Sequence, residues 1–127
     1  MHVLLIEPDT VLAKTYSQAL EAAGHTVSAV LTAQAAVRAA DTKRPDTVVL
    51  NVDLARHNGV EFLYEFKSYT EWRDVPVLLL VSELNHDLAD HAGLREKLGV
   101  QGVLVQSRLT LKQLCEAVAA ATGVAGV

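Results

Sequence analysis

With one cysteine, Cys115, in 127 residues, the chain can form no internal disulfide, so burial must hold the fold together. Half of the residues are hydrophobic, enough for one compact core at this length without a structural metal. Cys115 lies among Leu111, Leu114 and Val118 on the apolar stripe of a helix, which gives it a packing role. No apolar run approaches membrane-spanning length. The run Val3 to Ile6 is too short for the hydrophobic part of a secretion signal, follows no basic segment and stops at Glu7. A soluble, cytoplasmic protein is expected, with no membrane contact. Basic residues are scattered at a net charge of -4, which removes the usual electrostatic footprint of direct nucleic-acid binding. Internal repeats, charge blocks, a Walker loop, a GxGxxG fingerprint and a serine nucleophile elbow are all missing. No catalytic residue is assigned, and an enzyme is not expected.

What is present is an alternation of short apolar runs and amphipathic stretches, the pattern of βαβ units around a parallel sheet. Strands are predicted at His2 to Ile6, Thr26 to Val30, Thr47 to Val52, Val77 to Val81 and Gly102 to Val105. Helices are predicted at Thr10 to Ala23, Ala33 to Asp41, Val60 to Thr70, Asp87 to Leu98 and Leu111 to Thr122. Gly24 and Gly99 stand as C-terminal caps, and Thr32 and Thr110 as N-caps. Strands three to five are apolar enough to be covered on both faces, and the first lies near the sheet centre. One α/β domain spans residues 1–122, with 123–127 as a tail or the start of a linker.

The segment Pro45-Asp46-Thr47-Val48-Val49-Leu50-Asn51-Val52-Asp53 runs from a buried strand into a loop. Ligands of open α/β sheets bind beyond the carboxyl ends of the strands, and that place is held by Asn51. A carboxylate there could act as a nucleophile, whereas an amide cannot.

Several short segments occur together and in order: Val3-Leu4-Leu5-Ile6-Glu7-Pro8-Asp9, Pro45-Asp46 ahead of the third strand, Asn58-Gly59 before the third helix, Val75-Pro76-Val77 and Gly99-Val100-Gln101-Gly102. With them the chain resembles, from end to end, the receiver domain of bacterial two-component response regulators. The segment Leu84 to Leu98 is slightly longer than usual for that family. The resemblance implies a doubly wound (βα)5 flavodoxin-like domain with a five-stranded parallel sheet in the order 2-1-3-4-5. It also implies a place in a phosphorelay, where an aspartate takes a phosphoryl group from a histidine kinase beside a divalent cation.

The positions that match that chemistry depart from it. The phospho-acceptor position is Asn51, and the middle of the acidic group after the first strand is Pro8, between Glu7 and Asp9. Val81 stands where a hydroxyl residue is expected, with Ser82 one place on and so pointing the other way. Gln106 replaces the lysine of strand five, Ser107 the proline after it, and Val103 the aromatic switch residue. The expectation is a pseudo-receiver: a non-catalytic signalling module, in the manner of the N-terminal regulatory part of a transcription regulator. It would act through a protein partner or as a homodimer, using the region Ser82 to Val118. Two alternatives stand beside it, a phosphotransfer domain with its acceptor moved to Asp53 or Asp9, and a small-ligand sensor at the uncharged pocket of Asn51, Val81 and Gln106.

No cofactor is expected beyond a weak divalent cation at Glu7, Asp9 and Asp53, the last on the face of Asn51 if the strand continues that far. His86, Asp87, Asp90 and His91 show i, i+4 spacing, but two ligands rarely make a zinc site, and an exposed charged first turn explains them. His57 reads as a solvated loop residue. Phe62, Leu63 and Phe66 read as core, and Trp72 either caps the core edge or belongs to a binding patch.

Overall fold

A computed structural model of the chain describes residues 1–54, 59–82 and 96–121. Five parallel strands, β1 (His2–Ile6), β2 (Thr26–Val30), β3 (Thr47–Asn51), β4 (Val77–Val81) and β5 (Val100–Val105), form one sheet in the order β2-β1-β3-β4-β5. The described helices of at least ten residues are α1 (Thr10–Ala22), α2 (Ala33–Thr42), α3 (Gly59–Ser68) and α4 (Leu111–Ala121). This is the doubly wound, flavodoxin-like arrangement implied by the resemblance, with β1 inside the sheet.

The period of two along each strand divides the core into two layers. Leu4, Ile6, Val48, Leu50, Val77, Leu79 and Val81 face a layer built with Ala33, Ala36 and Ala40 of α2 and Phe62, Leu63 and Phe66 of α3. Val3, Leu5, Val49, Leu78 and Leu80 face Tyr16 and Leu20 of α1 and Leu114 and Val118 of α4. Every residue of β1, β3 and β4 is buried, whereas edge strand β5 is buried at Val100 and mostly half-buried beyond it. Two-sided burial was expected of strand five as well; its edge position leaves it less covered. Trp72 is 3% exposed and stacks on Phe66 at 4.8 Å, so it belongs to the core. The Cys115 thiol is half-buried and reaches the Ala19 carbonyl of α1, and burial pushes its pKa up.

Local chemistry sets the element ends. The Asp9 Oδ1 accepts the N–H groups of Val11 and Leu12 and so starts α1. Thr32 caps α2 through the Ala35 N–H. Thr110 and Gln113 exchange hydrogen bonds at the start of α4, a reciprocal capping box. Gly24 and Gly99 take positive φ, at 100° and 66°, as their cap positions require.

Some boundaries differ from the sequence expectation. β3 ends at Asn51 instead of Val52, because the Asn51 Oδ1 accepts the Asp53 N–H at 2.8 Å and turns the chain. Asp53 therefore does not share a continuing strand face with Asn51. The third helix stops at Ser68, and Thr70–Trp72 form a 3-10 turn that seats Trp72. β5 begins at Val100, two residues early, because a bulge intervenes: Val77 pairs with Val100 while Leu78 pairs with Gly102, leaving Gln101 unmatched. The predicted helix Asp87 to Leu98, except residues 96–98, lies outside the described residues, as do His57, Asn58, His86, Asp87, Asp90, His91 and the tail.

Candidate functional site

The carboxyl ends of β1, β3 and β5 converge on one buried carboxylate. Glu7 follows β1, is held by a hydrogen bond from its N–H to the Val30 carbonyl of β2, and is 1% exposed. Its Oε1 accepts the Asn51 Nδ2 at 3.0 Å and the Gln106 Nε2 at 2.8 Å. Its Oε2 accepts the Asp9 N–H at 2.9 Å. Among the described residues, three neutral N–H groups thus meet this carboxylate.

Sequence supplies each arm. Asn51 is the last residue of β3, in register with Leu80, and is 6% exposed. Gln106 follows β5 and opens a short 3-10 turn, Gln106–Arg108. The Gln106 Nε2 also reaches the Tyr16 hydroxyl at 3.2 Å, tying the end of β5 to α1. Burial pushes the Tyr16 pKa up; the Gln106 hydrogen bond opposes this, and the nearby charges of Glu7 and Asp9 reinforce it. Tyr16 was not among the residues expected at the site. Its position on the apolar stripe of α1, beside Leu20, makes it look like a plain core residue.

The other predicted positions arrange themselves around this network. Val81 is fully buried in the α2/α3 layer, and Val103 packs against the same layer in register with Leu79. Ser82 and Pro8 are half-buried, while Ser107, Asp9 and Asp53 are exposed. The Asp9 carboxylate is engaged at the N-terminus of α1. Gly59 brings the start of α3 onto the site: its N–H donates to the Val52 carbonyl at 2.9 Å, and a Cβ there would stand 2.5 Å from the Val52 Cα. Only glycine permits that approach.

Several of the oxygens that a divalent cation would draw on already accept hydrogen bonds. Magnesium and calcium need oxygen lone pairs directed at one point. Here Glu7 Oε1 already takes two N–H groups, Glu7 Oε2 takes one, Asp9 Oδ1 takes two, and Asn51 Oδ1 takes one. Pro8 offers no side-chain oxygen. Among the described residues, no three acidic, histidine or cysteine side chains are placed to share one metal ion.

The fold recurs in solved structures. A response regulator receiver domain protein from Clostridium thermocellum superposes with a TM-score of 0.80 at 22% identity, covering 98% of this chain and 96% of that one. The receiver domain of the sensor histidine kinase PA1611 from Pseudomonas aeruginosa, solved with magnesium coordinated in its active-site cleft, gives 0.79 at 22% identity, covering 96% and 97%. At such identities the likeness speaks to the fold. In sequence, the chain is 36% identical over 81 residues to a protein of Mycobacterium tuberculosis named as a probable transcriptional regulatory protein, TcrX, covering 64% of this chain and 34% of that one. The matched segments span about a third of the length of these curated relatives. No described helix is long and apolar enough to cross a membrane. Residues 3–119 match the response regulator receiver domain, and with that span, this sheet order and this convergence of strand ends, the chain belongs to the receiver domain family.

Proposed function

We propose that this receiver-family domain signals through protein contacts, without a phosphoryl group on Asn51. One observation carries the reading: the Asn51 and Gln106 carboxamides both donate to the Glu7 carboxylate. Phosphoryl transfer to a side chain needs a nucleophilic oxygen, a cation for the phosphoryl charge and a fixed positive donor. At these positions the chain offers an amide, a carboxylate filled with N–H donors and a second amide. Asn51 acts as a donor to Glu7, a role that an ionised aspartate could not fill. The network satisfies itself without cation or phosphate, so the site holds its neighbours in place and does not turn over.

The region Ser82 to Val118 is the proposed surface for a protein partner. The output is proposed to be transcriptional, by analogy with relatives named as transcriptional regulators and about twice as long. A small-ligand sensor is disfavoured, because the polar atoms that would recognise the ligand already bond one another.

Incubation with a small-molecule phosphodonor and magnesium, followed by intact mass measurement, tests the proposal. The expected result is no phosphoryl adduct. A stable adduct overturns it, and loss of that adduct in Asp53→Ala or Asp9→Ala would place the acceptor on that carboxylate.

A further inference from the structure

Helices α2 and α3 lie side by side on one face of the sheet with an open groove of about 500 Å³ between them. Ala33, Val37 and Phe62 form its apolar floor, Arg38 stands on the α2 wall, and Glu61 and Glu65 stand on the α3 wall. All three charged residues are exposed. They line one and the same groove. Both helices run antiparallel to the same parallel strands, and Arg38 is the sixth residue of α2 while Glu61 and Glu65 are the third and seventh of α3. Even so, the only ion pair among the described residues joins Lys112 to Glu116 on α4, so Arg38 does not bridge the groove to either glutamate. Glu61 and Glu65, at i, i+4, repel each other with no cation to relieve them.

A surface with opposite charges on its two walls is complementary to itself. A two-fold axis running along the groove places α2 of one copy over α3 of the other and preserves height along the helices. Each Arg38 then faces the partner's Glu61 and Glu65, twice over by symmetry. We infer that the α2–α3 groove is a self-association surface, and that its occupant is the same groove of a second copy of this chain. Two ten-residue helices per copy give a contact below the usual size of a stable interface, so the dimer is weak and concentration-dependent. The surface is separate from the Ser82 to Val118 region and from the Glu7 network, so it stands or falls apart from the reading of the phosphorylation site.

Sedimentation velocity of the full chain, at concentrations up to about 500 µM, supplies the test. The expected result is a monomer–dimer equilibrium that weakens as salt is added. Arg38→Glu alone, and Glu61→Arg with Glu65→Arg, should each weaken it at least about tenfold. An equimolar mixture of the two variants should restore a dimer, now a heterodimer. Circular dichroism confirms the fold of each variant, and the salt dependence of the unsubstituted chain still decides the matter should one of them not fold. A chain that stays monomeric throughout overturns the inference. So does a dimer that both variants leave intact, a mixture that does not reassociate, a dimer indifferent to salt, or a dimer abolished by Leu111→Glu on α4 and untouched at the groove.

Discussion

The Gln106 Nε2 donates to the Glu7 Oε1 at 2.8 Å across ninety-nine residues of chain, and the Asn51 Nδ2 donates to the same oxygen at 3.0 Å. The two carboxamides are therefore coupled through one acceptor, and neither can be changed without altering what the other meets.

Restoring a carboxylate shows that coupling. Asn51→Asp would set two carboxylates about 3 Å apart with no cation between them, so a loss of about 1–3 kcal/mol in stability is expected. Urea unfolding at neutral pH measures it. Adding Gln106→Lys supplies a positive charge to both, and the double variant should recover about 1–2 kcal/mol relative to the sum of the single changes. Ready phosphorylation of the Asn51→Asp variant alone would contradict the account of the site.

Removing the shared acceptor should cost more than removing either donor. Glu7→Ala strands the Asn51 and Gln106 amides and the Asp9 N–H in a buried site, and a loss of about 2–4 kcal/mol is expected. Glu7→Gln, which keeps one acceptor oxygen, should lose less. Thermal unfolding of the pair compares them.

At the opposite end of the sheet, Lys67 of α3 is 7% exposed and donates its Nζ to the carbonyls of Arg73 and Val75. Burial lowers its pKa from 10.5 to about 8; Asp74 counters this and Arg44 adds to it. Between about pH 8 and 10.5 the unfolded chain therefore holds more protons at this residue than the folded one. Its contribution to stability must rise with pH across that window, because the ammonium's cost of burial disappears as the folded group loses its proton. Lys67→Met removes that rise, so the stability difference between the two proteins, followed from pH 7 to pH 10.5, should shift steadily in favour of the native chain.

Gly59→Ala tests the close approach of α3. The new Cβ would meet the Val52 Cα at 2.5 Å, and backbone atoms cannot move aside as a flexible side chain can. A loss of about 1–3 kcal/mol is expected, with amide shifts around Val52 and Asn51 in a nitrogen–proton correlation spectrum. Gly24→Ala meets open space at φ 100° and should cost only about 1 kcal/mol.

The layered sheet was legible in the sequence because apolar strands with period two, glycines at helix ends and threonine caps are local signals. Asn51, Gln106, Glu7 and Asp9 were legible as positions. What they bond was not, since hydrogen bonds between residues tens of places apart leave no periodic trace. Asp9 shows the difficulty: beside Glu7 it reads as a cation ligand, and its carboxylate caps α1. Tyr16 and Lys67 were missed for a related reason. Each sits on a helix face whose spacing signals packing, and the polar tip shows its partner only once the neighbouring elements are in place.

The unmatched Gln101 governs more than one pairing. In a strand, parity decides which side a residue leaves from, and the extra residue in β5 resets that parity between Val100 and Gly102. Val103 and Val105 thereby fall in the α2/α3 layer and Leu104 in the α1/α4 layer. Excising Gln101 would make Val100 and Gly102 adjacent, in step with Val77 and Leu78, and so leave the pairing of Gly102 to Val105 and the place of the Gln106 amide unchanged. The bulge thus absorbs one surplus residue near one end of the sheet and keeps it from displacing the site at the other.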